Sequence, residues 1–404
     1  MRILLLILSL AVPALAAAET APAPAESVTT RLLQVKDLRG LGRAMRDALY
    51  AEAMLATRAA LHSEHFDTAR LLAVKSTVLF PERQRPWLHL AAAQLRLEKW
   101  GPAIEAARHA AAARADDLPP PATFEEGPAG PAYWEGVALY RTQRTADGLV
   151  RLRAACAAAP DWAEAARALG EAAFVAKRMP EAAQAYGDAL RLDAAVLTTR
   201  DLSYCAEARA ATGDLSGGVA ALQEALRRSR FEPGLHGKMG DLLRREGDLS
   251  EAYYQFLLEL VLHGLDGPFA SPALRLSLET VRAALADSSY PARGELRAVS
   301  AGFTALQAKR FAIAAHDLGH AVSVTGTATQ VPWLLLADAY AQAGDTLRAR
   351  SQLDRILARD PDFVPALESR AALQGGEVAA RDRDRIRALF PNYWKLKQSE
   401  DTAR

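Results

Sequence analysis

The segment WLLLADAYAQAGD, residues Trp333 to Asp345, decides the fold. Leu336 and Ala337 follow Trp333 after three and four residues, and Tyr340 follows Leu336 after four. Residues three and four apart lie on one face of an α-helix, so this face carries large side chains around a small one. The Gly and Asp that close the segment are typical of a helix C-terminus and of the N-cap of a second helix. The segment therefore predicts two helices joined by a tight turn, in contact where the small side chain lies.

The same spacing returns along the chain. Counted from Gln330, large residues stand at positions 4, 7, 11 and 24 and small residues at 8 and 20, and position 20 is Ala or Gly in every copy. Position 27 is less uniform, because Glu259 and Ile356 stand there. Small residues at 8 and 20 allow two helix backbones to approach, while the large residues fill the space beside them. The eight copies begin at Tyr50, Gln84, Ala129, Ala163, Thr199, Pro233, Glu295 and Gln330.

This pattern resembles the tetratricopeptide repeat, a helix-turn-helix unit of ~34 residues. The resemblance extends over most of residues 50–363, and several copies follow one another at the period of the family. It implies an all-α fold, an α-solenoid in which stacked helix pairs form a right-handed superhelix. The many Ala residues favour the same class, since Ala has the highest helix propensity. The alternative is an unrelated helical bundle, which does not require a fixed period of this length.

Where the repeat pattern is interrupted, the composition indicates loops, extra helices or terminal segments. The stretch DDLPPPATFEEGP is rich in Pro and predicts an exposed loop between the second and third repeats. A second interruption contains an amphipathic stretch, which predicts one helix or a degenerate repeat. The predicted organisation is a signal peptide at 1–18, a flexible Ala/Pro linker at 19–30, an N-terminal helix at 31–49, repeats 1–2 at 50–115, the Pro-rich insert at 116–128, repeats 3–6 at 129–266, the second insert at 267–294, repeats 7–8 at 295–363, and a C-terminal capping helix with a charged tail at 364–404.

The N-terminal sequence MRILLLILSLAVPALAAAET predicts export from the cell. Arg2 precedes a short apolar run that ends in Ala16–Ala18, the arrangement of a secretory signal peptide with a small-residue cleavage site. An uncleaved membrane anchor is the alternative, but the run is short for a membrane span. We therefore expect a periplasmic or secreted bacterial protein without membrane insertion after cleavage. We also expect Cys156 and Cys205 to be buried thiols rather than a disulfide, because they are far apart and belong to no framework pattern.

The resemblance also implies where a partner would bind. In the family the inner face of the superhelix is lined by first-helix residues, mostly at positions 2, 5, 9, 12 and 13, with position 6 beside them. In this chain such positions supply, among others, Arg58, His89, Glu207, Lys238, Asp241, Arg244 and Arg245. The candidate groove residues for partner binding are Arg96, Tyr133, Trp134, Tyr140, Arg141, Arg167, Glu171, Phe174, Arg200 and Tyr204.

A mixture of aromatic residues and Arg is typical of protein-binding surfaces. The same aromatic residues could instead fill gaps between neighbouring repeats, and both interpretations stay open. Some chaperone-binding members of the family grip a C-terminal carboxylate with a Lys/Asn pair. Positions 5 and 9 of this chain do not supply that pair, so that activity is not expected here.

No motif in the sequence indicates catalysis. The net charge is +1 with acidic and basic residues interspersed, which argues against a nucleic-acid partner. His316 and His320 stand one helical turn apart, a spacing that two metal ligands can use, but no third ligand is evident in the sequence. We therefore expect no enzymatic activity, no cofactor and no bound metal.

Together these patterns favour an exported scaffold that binds segments of unidentified partner proteins in its groove. Cell-envelope assembly, secretion or polysaccharide export would be its setting. Two alternatives remain: a metal-binding protein or metal-dependent hydrolase that uses His316 and His320, and a permanent structural subunit of an envelope enzyme or channel complex.

Overall fold

The computed structural model of this chain describes residues 38, 40, 42–115, 124–263, 271–286, 294–325 and 330–389. Within these ranges the regular structure is helical, with nineteen α-helices, two 3-10 turns and no β-strand. The predicted all-α class is therefore confirmed. The predicted signal peptide and linker at 1–30 and the end of the charged tail, 390–404, lie outside the described residues. None of the described helices is long and apolar enough to cross a membrane.

The chain forms two compact units, Met1–Leu197 and Thr198–Arg404, which are described separately. In the first unit, consecutive helices pack as four antiparallel pairs, and each pair packs on the next. The first helices of neighbouring pairs also contact each other, so they lie side by side and form one face of the unit. The eight helices are α1 Arg43–His62, α2 Phe66–Leu79, α3 Gln84–Arg96, α4 Trp100–Ala112, α5 Gly130–Arg141, α6 Thr145–Ala158, α7 Ala163–Val175 and α8 Met179–Leu192.

The second unit begins at a capping box. The Thr198 hydroxyl accepts a hydrogen bond from Asp201 N at 3.1 Å, and the Asp201 carboxylate accepts one from Thr198 N at 2.9 Å. Five helix pairs follow, with the single helix α13 between the second pair and the third. The helices are α9 Thr199–Ala211, α10 Leu215–Arg228, α11 Leu235–Glu246, α12 Leu249–His263, α13 Pro272–Ala286, α14 Gly294–Gln307, α15 Phe311–Thr325, α16 Val331–Gln342, α17 Thr346–Arg359, α18 Val364–Gln374 and α19 Gly376–Leu389.

The small residues lie where the two helices of a pair touch. A Cβ on Gly240, at position 8, would lie 2.6 Å from the ring of Phe256, at position 24. A Cβ on Gly148, at position 20, would lie 2.9 Å from the carbonyl oxygen of Gly136, at position 8 of the facing helix. Real Cβ contacts are not this short, so these positions accept nothing larger without movement. The steric reason predicted for the repeat is confirmed. In these repeats position 8 packs against a large side chain of the second helix, and position 20 packs against the backbone of the first helix.

In each of the eight repeats, the residue at position 15, in the turn between the two helices, has a left-handed backbone conformation. Gly stands there in three repeats, and the Asp that follows caps the next helix, as Asp345 does by accepting a hydrogen bond from Arg348 N at 3.0 Å. The other five repeats place non-Gly residues in the same conformation, which costs L-residues free energy. The position-15 residues, with φ between 57° and 94°, are Glu64, Glu98, Gln143, Lys177, Gly213, Gly247, Lys309 and Gly344.

Two expected boundaries at the ends of the chain differ from the structure. Residues 43–49 of the N-terminal helix expected at 31–49 continue without a break into the first helix of the first repeat, because no Gly or Pro interrupts residues 43–62, and most of residues 31–42 lies outside the described part of the chain. At the other end, the charged segment after Gly375 is not a tail but the helix α19, which packs on α18. Asp382 of α19 is buried and accepts two hydrogen bonds from Arg370 of α18, at 2.8 and 2.7 Å. This ion pair and the buried Ala379 and Ile386 hold the charged helix against the stack.

Within the second unit, helices distant in sequence also meet. Helix α12 contacts α16 and α18. The Arg230 guanidinium lies 5.3 Å from the ring centroid of Phe363 and pairs with Asp360. The ring of Phe231 lies 6.3 Å from that of Phe363. The loop before α11 therefore packs against the loop before α18.

Candidate functional site

A recess of about 200 Å³ opens on the first-helix face of the first unit. The residues at inner-face positions that line it include Arg58 of α1, His89 and Arg96 of α3, and Trp134 of α5. They stand at positions 9, 6, 13 and 6 of the first three repeats. The recess is therefore formed by three consecutive first helices, on the face where the resemblance implied binding.

An ion pair closes one wall of the recess. Arg58 donates to both carboxylate oxygens of Glu126, from Nε at 2.8 Å and from Nη2 at 2.5 Å. His89 Nε2 lies 2.8 Å from Oε1 of the same carboxylate. Burial alone would raise the pKa of Glu126, but the hydrogen bonds from His89 and Arg58 outweigh it and lower the pKa to about 2. Glu126 is therefore ionised throughout the physiological pH range.

The contact with Glu126 fixes the protonation of His89. Because the carboxylate only accepts, Nε2 carries the proton. Nδ1 is buried and has no hydrogen-bond partner within the described residues. A buried polar atom without a partner costs free energy.

Glu125 differs from its neighbour Glu126. Burial raises the pKa of Glu125, the nearby Arg96 charge opposes the rise, and Glu164 and Glu126 add to it. Arg96 itself is exposed at the edge of the recess. The recess thus combines the half-buried guanidinium of Arg58 and the exposed one of Arg96 with two carboxylates.

Both carboxylates come from the Pro-rich insert, which the sequence predicted as an exposed loop. Residues 116–123 of the insert lie outside the described part of the chain, but Phe124–Glu126 form a 3-10 turn. Contrary to the prediction, Glu126 is buried, because Arg58 and His89 hydrogen-bond its carboxylate at the inner face. Gly130 permits the approach, since a Cβ there would lie 2.2 Å from the Glu125 carbonyl oxygen.

Three of the predicted aromatic residues are buried. Tyr133 packs between its neighbour Trp134, with ring centroids 4.9 Å apart, and Trp162, 4.4 Å away at the start of α7. Burial raises the pKa of the Tyr133 hydroxyl to about 12. Phe174 is also buried. Tyr133 therefore fills the gap to the next repeat, whereas Trp134 is buried beside it and also lines the recess.

A second polar cluster lies further along the same face. Glu171 of α7 is buried, and the Tyr140 hydroxyl donates to its Oε1 at 3.3 Å. Arg141 and Arg167 lie 3.6 and 3.8 Å from its carboxylate oxygens. The structure thus brings these four predicted residues together around one carboxylate.

The last two predicted groove residues belong to the second unit. Arg200 lies 6.0 Å from the ring centroid of Tyr204, both on α9. Next to them on the same helix, Glu207 pairs with Lys238 of α11 at 2.6 Å. These residues form their own polar surface in that unit.

The residues considered for metal chemistry do not form a site in the described part of the chain. His316 and His320 are both exposed on α15. The described residues contain no group of three or more His, Cys, Asp or Glu arranged for a metal ion. Both Cys residues are free thiols, and burial raises the pKa of Cys156 to about 11.

Sequence reasoning missed His62, Glu125 and Glu126 as members of the recess. His62 stands at position 13 of the first repeat, an inner-face position, so the repeat frame could have identified it. The two glutamates stand outside every repeat, and no periodic signal points to them.

Helix pairs with small contact residues and a left-handed turn at a constant position, stacked so that first helices share a face, define an α-solenoid of short repeats. The family model of the tetratricopeptide repeat matches residues 331–373, which span α16 and α17 and most of α18. Residues 331–373 of this chain therefore contain a tetratricopeptide repeat. No curated protein matches it.

Several solved structures of the same class are similar to the chain. The C-terminal part of a tetratricopeptide-repeat protein from Cytophaga hutchinsonii is 11% identical, over 78% of this chain and 98% of that one, with a TM-score of 0.39. A thermophilic repeat protein from Thermus thermophilus is 20% identical, over 48% and 98%, with a TM-score of 0.34. MamA from Desulfovibrio magneticus is 17% identical, over 48% and 99%, with a TM-score of 0.36.

Proposed function

We propose that this protein is a non-catalytic scaffold that binds a segment of a partner protein on the first-helix face of its first unit. One observation carries the proposal: inner-face residues of three consecutive repeats converge on a recess that contains a partly buried ion pair, a His89 nitrogen with no hydrogen-bond partner among the described residues, and the exposed Arg96. Polar groups at the base of a concave, partly apolar surface are what orients a bound segment.

The helical framework of the first unit favours binding of a short segment over chemistry. The recess is formed by packed helices, so the protein side loses little conformational freedom when a partner binds. A helix or an extended segment of a partner could lie along the row of first helices. The second polar cluster around Glu171 would extend the contact surface beyond the recess.

The proposal includes export to the periplasm or beyond, on the strength of the N-terminal sequence. The scaffold would then serve in the cell envelope, where assembly, secretion and polysaccharide export all require proteins to be held together. Protein purified from native cells would begin near residue 19 if the leader is removed.

The binding surface is tested by reversing one exposed charge. Arg96→Glu should reduce partner capture from an envelope extract strongly, because Arg96 lines the recess and is exposed to a binding partner. Lys99→Glu is the matched control, since Lys99 is exposed three residues further on and does not line the recess. Capture is measured by crosslinking and mass spectrometry. Equal capture by wild type and Arg96→Glu contradicts the proposal.

Trp134 is unsuitable for this test, although it lines the recess. Its side chain is 4% exposed, and truncation to Ala would leave a cavity that costs about 3–5 kcal/mol. A loss of binding in Trp134→Ala would therefore report on folding rather than on recognition.

A further inference from the structure

The recess contains a carboxylate-binding site that the protein itself fills. Arg58 grips Glu126 through two hydrogen bonds, and His89 makes a third contact with the same carboxylate. Paired hydrogen bonds from one guanidinium to both oxygens are the geometry with which proteins recognise carboxylates of bound ligands. Glu126 thus makes the contacts that a carboxylate of a partner would make.

The basic and the acidic residues that line the recess come from different parts of the chain. Among its lining residues, the helices contribute basic groups, Arg58, Arg96, His62 and His89, whereas both acids, Glu125 and Glu126, come from the turn Phe124–Glu126. Glu164 of α7 also faces Glu125. The helical lining is therefore complementary to an acidic segment, and the insert supplies such a segment within the same chain.

We propose that the turn Phe124–Glu126 acts as an intramolecular pseudo-ligand, and that the partner segment is an acidic peptide that binds by replacing Glu126 on Arg58 and His89. This inference rests on the proposed function and names the chemistry of the partner. A tethered carboxylate competes at a high effective concentration, so the intact protein binds an acidic peptide more weakly than its recess allows. The insert then sets the affinity threshold that a partner must exceed.

Glu126→Gln tests the competition, because it removes the charge of the tethered side chain and keeps its size. The probe is a fluorescein-labelled peptide of six glutamates with an amidated C-terminus, and binding is measured by fluorescence anisotropy at low salt. We expect Glu126→Gln to bind the peptide about tenfold or more tightly than wild type, since it loses the intramolecular competitor. Adding Arg58→Ala to Glu126→Gln should abolish the gain.

Glu135→Gln is the matched control. Glu135 is also buried on α5 and also pairs with two arginines, Arg108 and Arg151, each at 2.9 Å, but it does not line the recess. The substitution Glu135→Gln changes the net charge of the protein by the same amount as Glu126→Gln. The inference is wrong if Glu126→Gln binds no more tightly than wild type, or if Glu135→Gln gains as much.

A measurement on the wild-type chain covers the case in which Glu126→Gln does not fold. Saturating hexaglutamate peptide should increase amide hydrogen exchange at residues 124–127, because the turn leaves the recess. Unchanged exchange with bound peptide overturns the inference. Loss of native partner capture in Arg96→Glu, together with no effect of Glu126→Gln, would leave the proposed function intact and remove the pseudo-ligand alone.

Discussion

Lys177 lies in the turn after the first helix of the fourth repeat. Its φ is 58°, a conformation in which an L-residue is strained. The turn holds it there because Lys177 N donates to Phe174 O and Arg178 N donates to Ala173 O, at 3.0 and 2.9 Å. Two backbone hydrogen bonds at the end of α7 therefore offset the local strain. Four other non-Gly residues occupy the same position of their repeats.

Lys177→Gly should stabilise the first unit, since Gly adopts this conformation without the steric cost. Lys177→Ala is the control, because it also removes the side chain and its contact with the Phe174 ring but keeps the strain. We expect Lys177→Gly to be about 0.5–1 kcal/mol more stable than Lys177→Ala in urea unfolding. Equal stability of the two variants would mean that the backbone is not strained.

The repeat frame predicts a residue only where its role demands a particular side chain. Gly240 and Gly148 are recognisable because the helix contact excludes larger residues, and Arg58 and His89 because their positions face inwards. The left-handed position 15 is visible in the sequence where Gly stands there and hidden where another residue does. Glu126 could not be predicted, since its partners are far away in sequence and the insert has no period.

At the scale of the helix, the contacts of Glu259 explain why position 27 of the sixth repeat is occupied by a large charged residue and not by a small one. Its carboxylate accepts hydrogen bonds from Gly234 N at 2.7 Å and Gly237 N at 3.0 Å, at the beginning of α11. The amide groups of a helix N-terminus lack partners within the helix, and no side-chain cap is present at Gly234. A glutamate of α12 therefore caps the neighbouring helix α11.

Glu259→Ala should destabilise the second unit by about 1–3 kcal/mol, because it leaves buried N–H groups without an acceptor. The pH dependence has a definite sign. Burial raises the pKa of Glu259 above its ordinary value, although the backbone hydrogen bonds oppose the rise. Its contribution to stability is thus largest at low pH and declines as the pH rises from about 4.5 towards the folded-state pKa.

Glu259→Gln isolates that dependence, since it keeps an oxygen acceptor and cannot ionise. The difference in unfolding free energy between wild type and Glu259→Gln should change in favour of Glu259→Gln as the pH rises above about 4.5. Urea unfolding at a series of pH values measures it. A difference that is constant with pH would show that burial does not perturb this carboxyl group.

For the whole molecule, the boundary between the two units lies where the length of the repeat changes. The fourth repeat is two residues longer than the third, and the 3-10 turn Ala194–Val196 lies in the extra length, just before the boundary at Leu197 and Thr198. The sequence therefore contained the signal for the division, but the two inserts were the more visible interruptions. Neither insert marks the boundary, because a solenoid depends on contacts between neighbouring repeats rather than on loop length.

Local contacts of this kind predict that a packing defect stays near its repeat. A Cβ on Gly302 of α14 would lie 2.5 Å from Leu318 Cγ, whereas a Cβ on Gly319 of α15 would meet nothing within 4 Å. Gly302→Ala should therefore cost about 1–3 kcal/mol by overpacking, and Gly319→Ala should be neutral or stabilising because Ala favours helix.

Hydrogen exchange followed by mass spectrometry locates the effect of these two substitutions. Gly302→Ala should speed amide exchange in α14, α15 and their neighbours, and leave α1, α3 and α5, which line the recess, at the wild-type rate. The reason is that the stability of a repeat stack is close to a sum of single repeats and nearest-neighbour interfaces. Faster exchange in α1, α3 and α5 would instead require the chain to unfold as one cooperative block, and partner binding in the first unit would then depend on every repeat of the second.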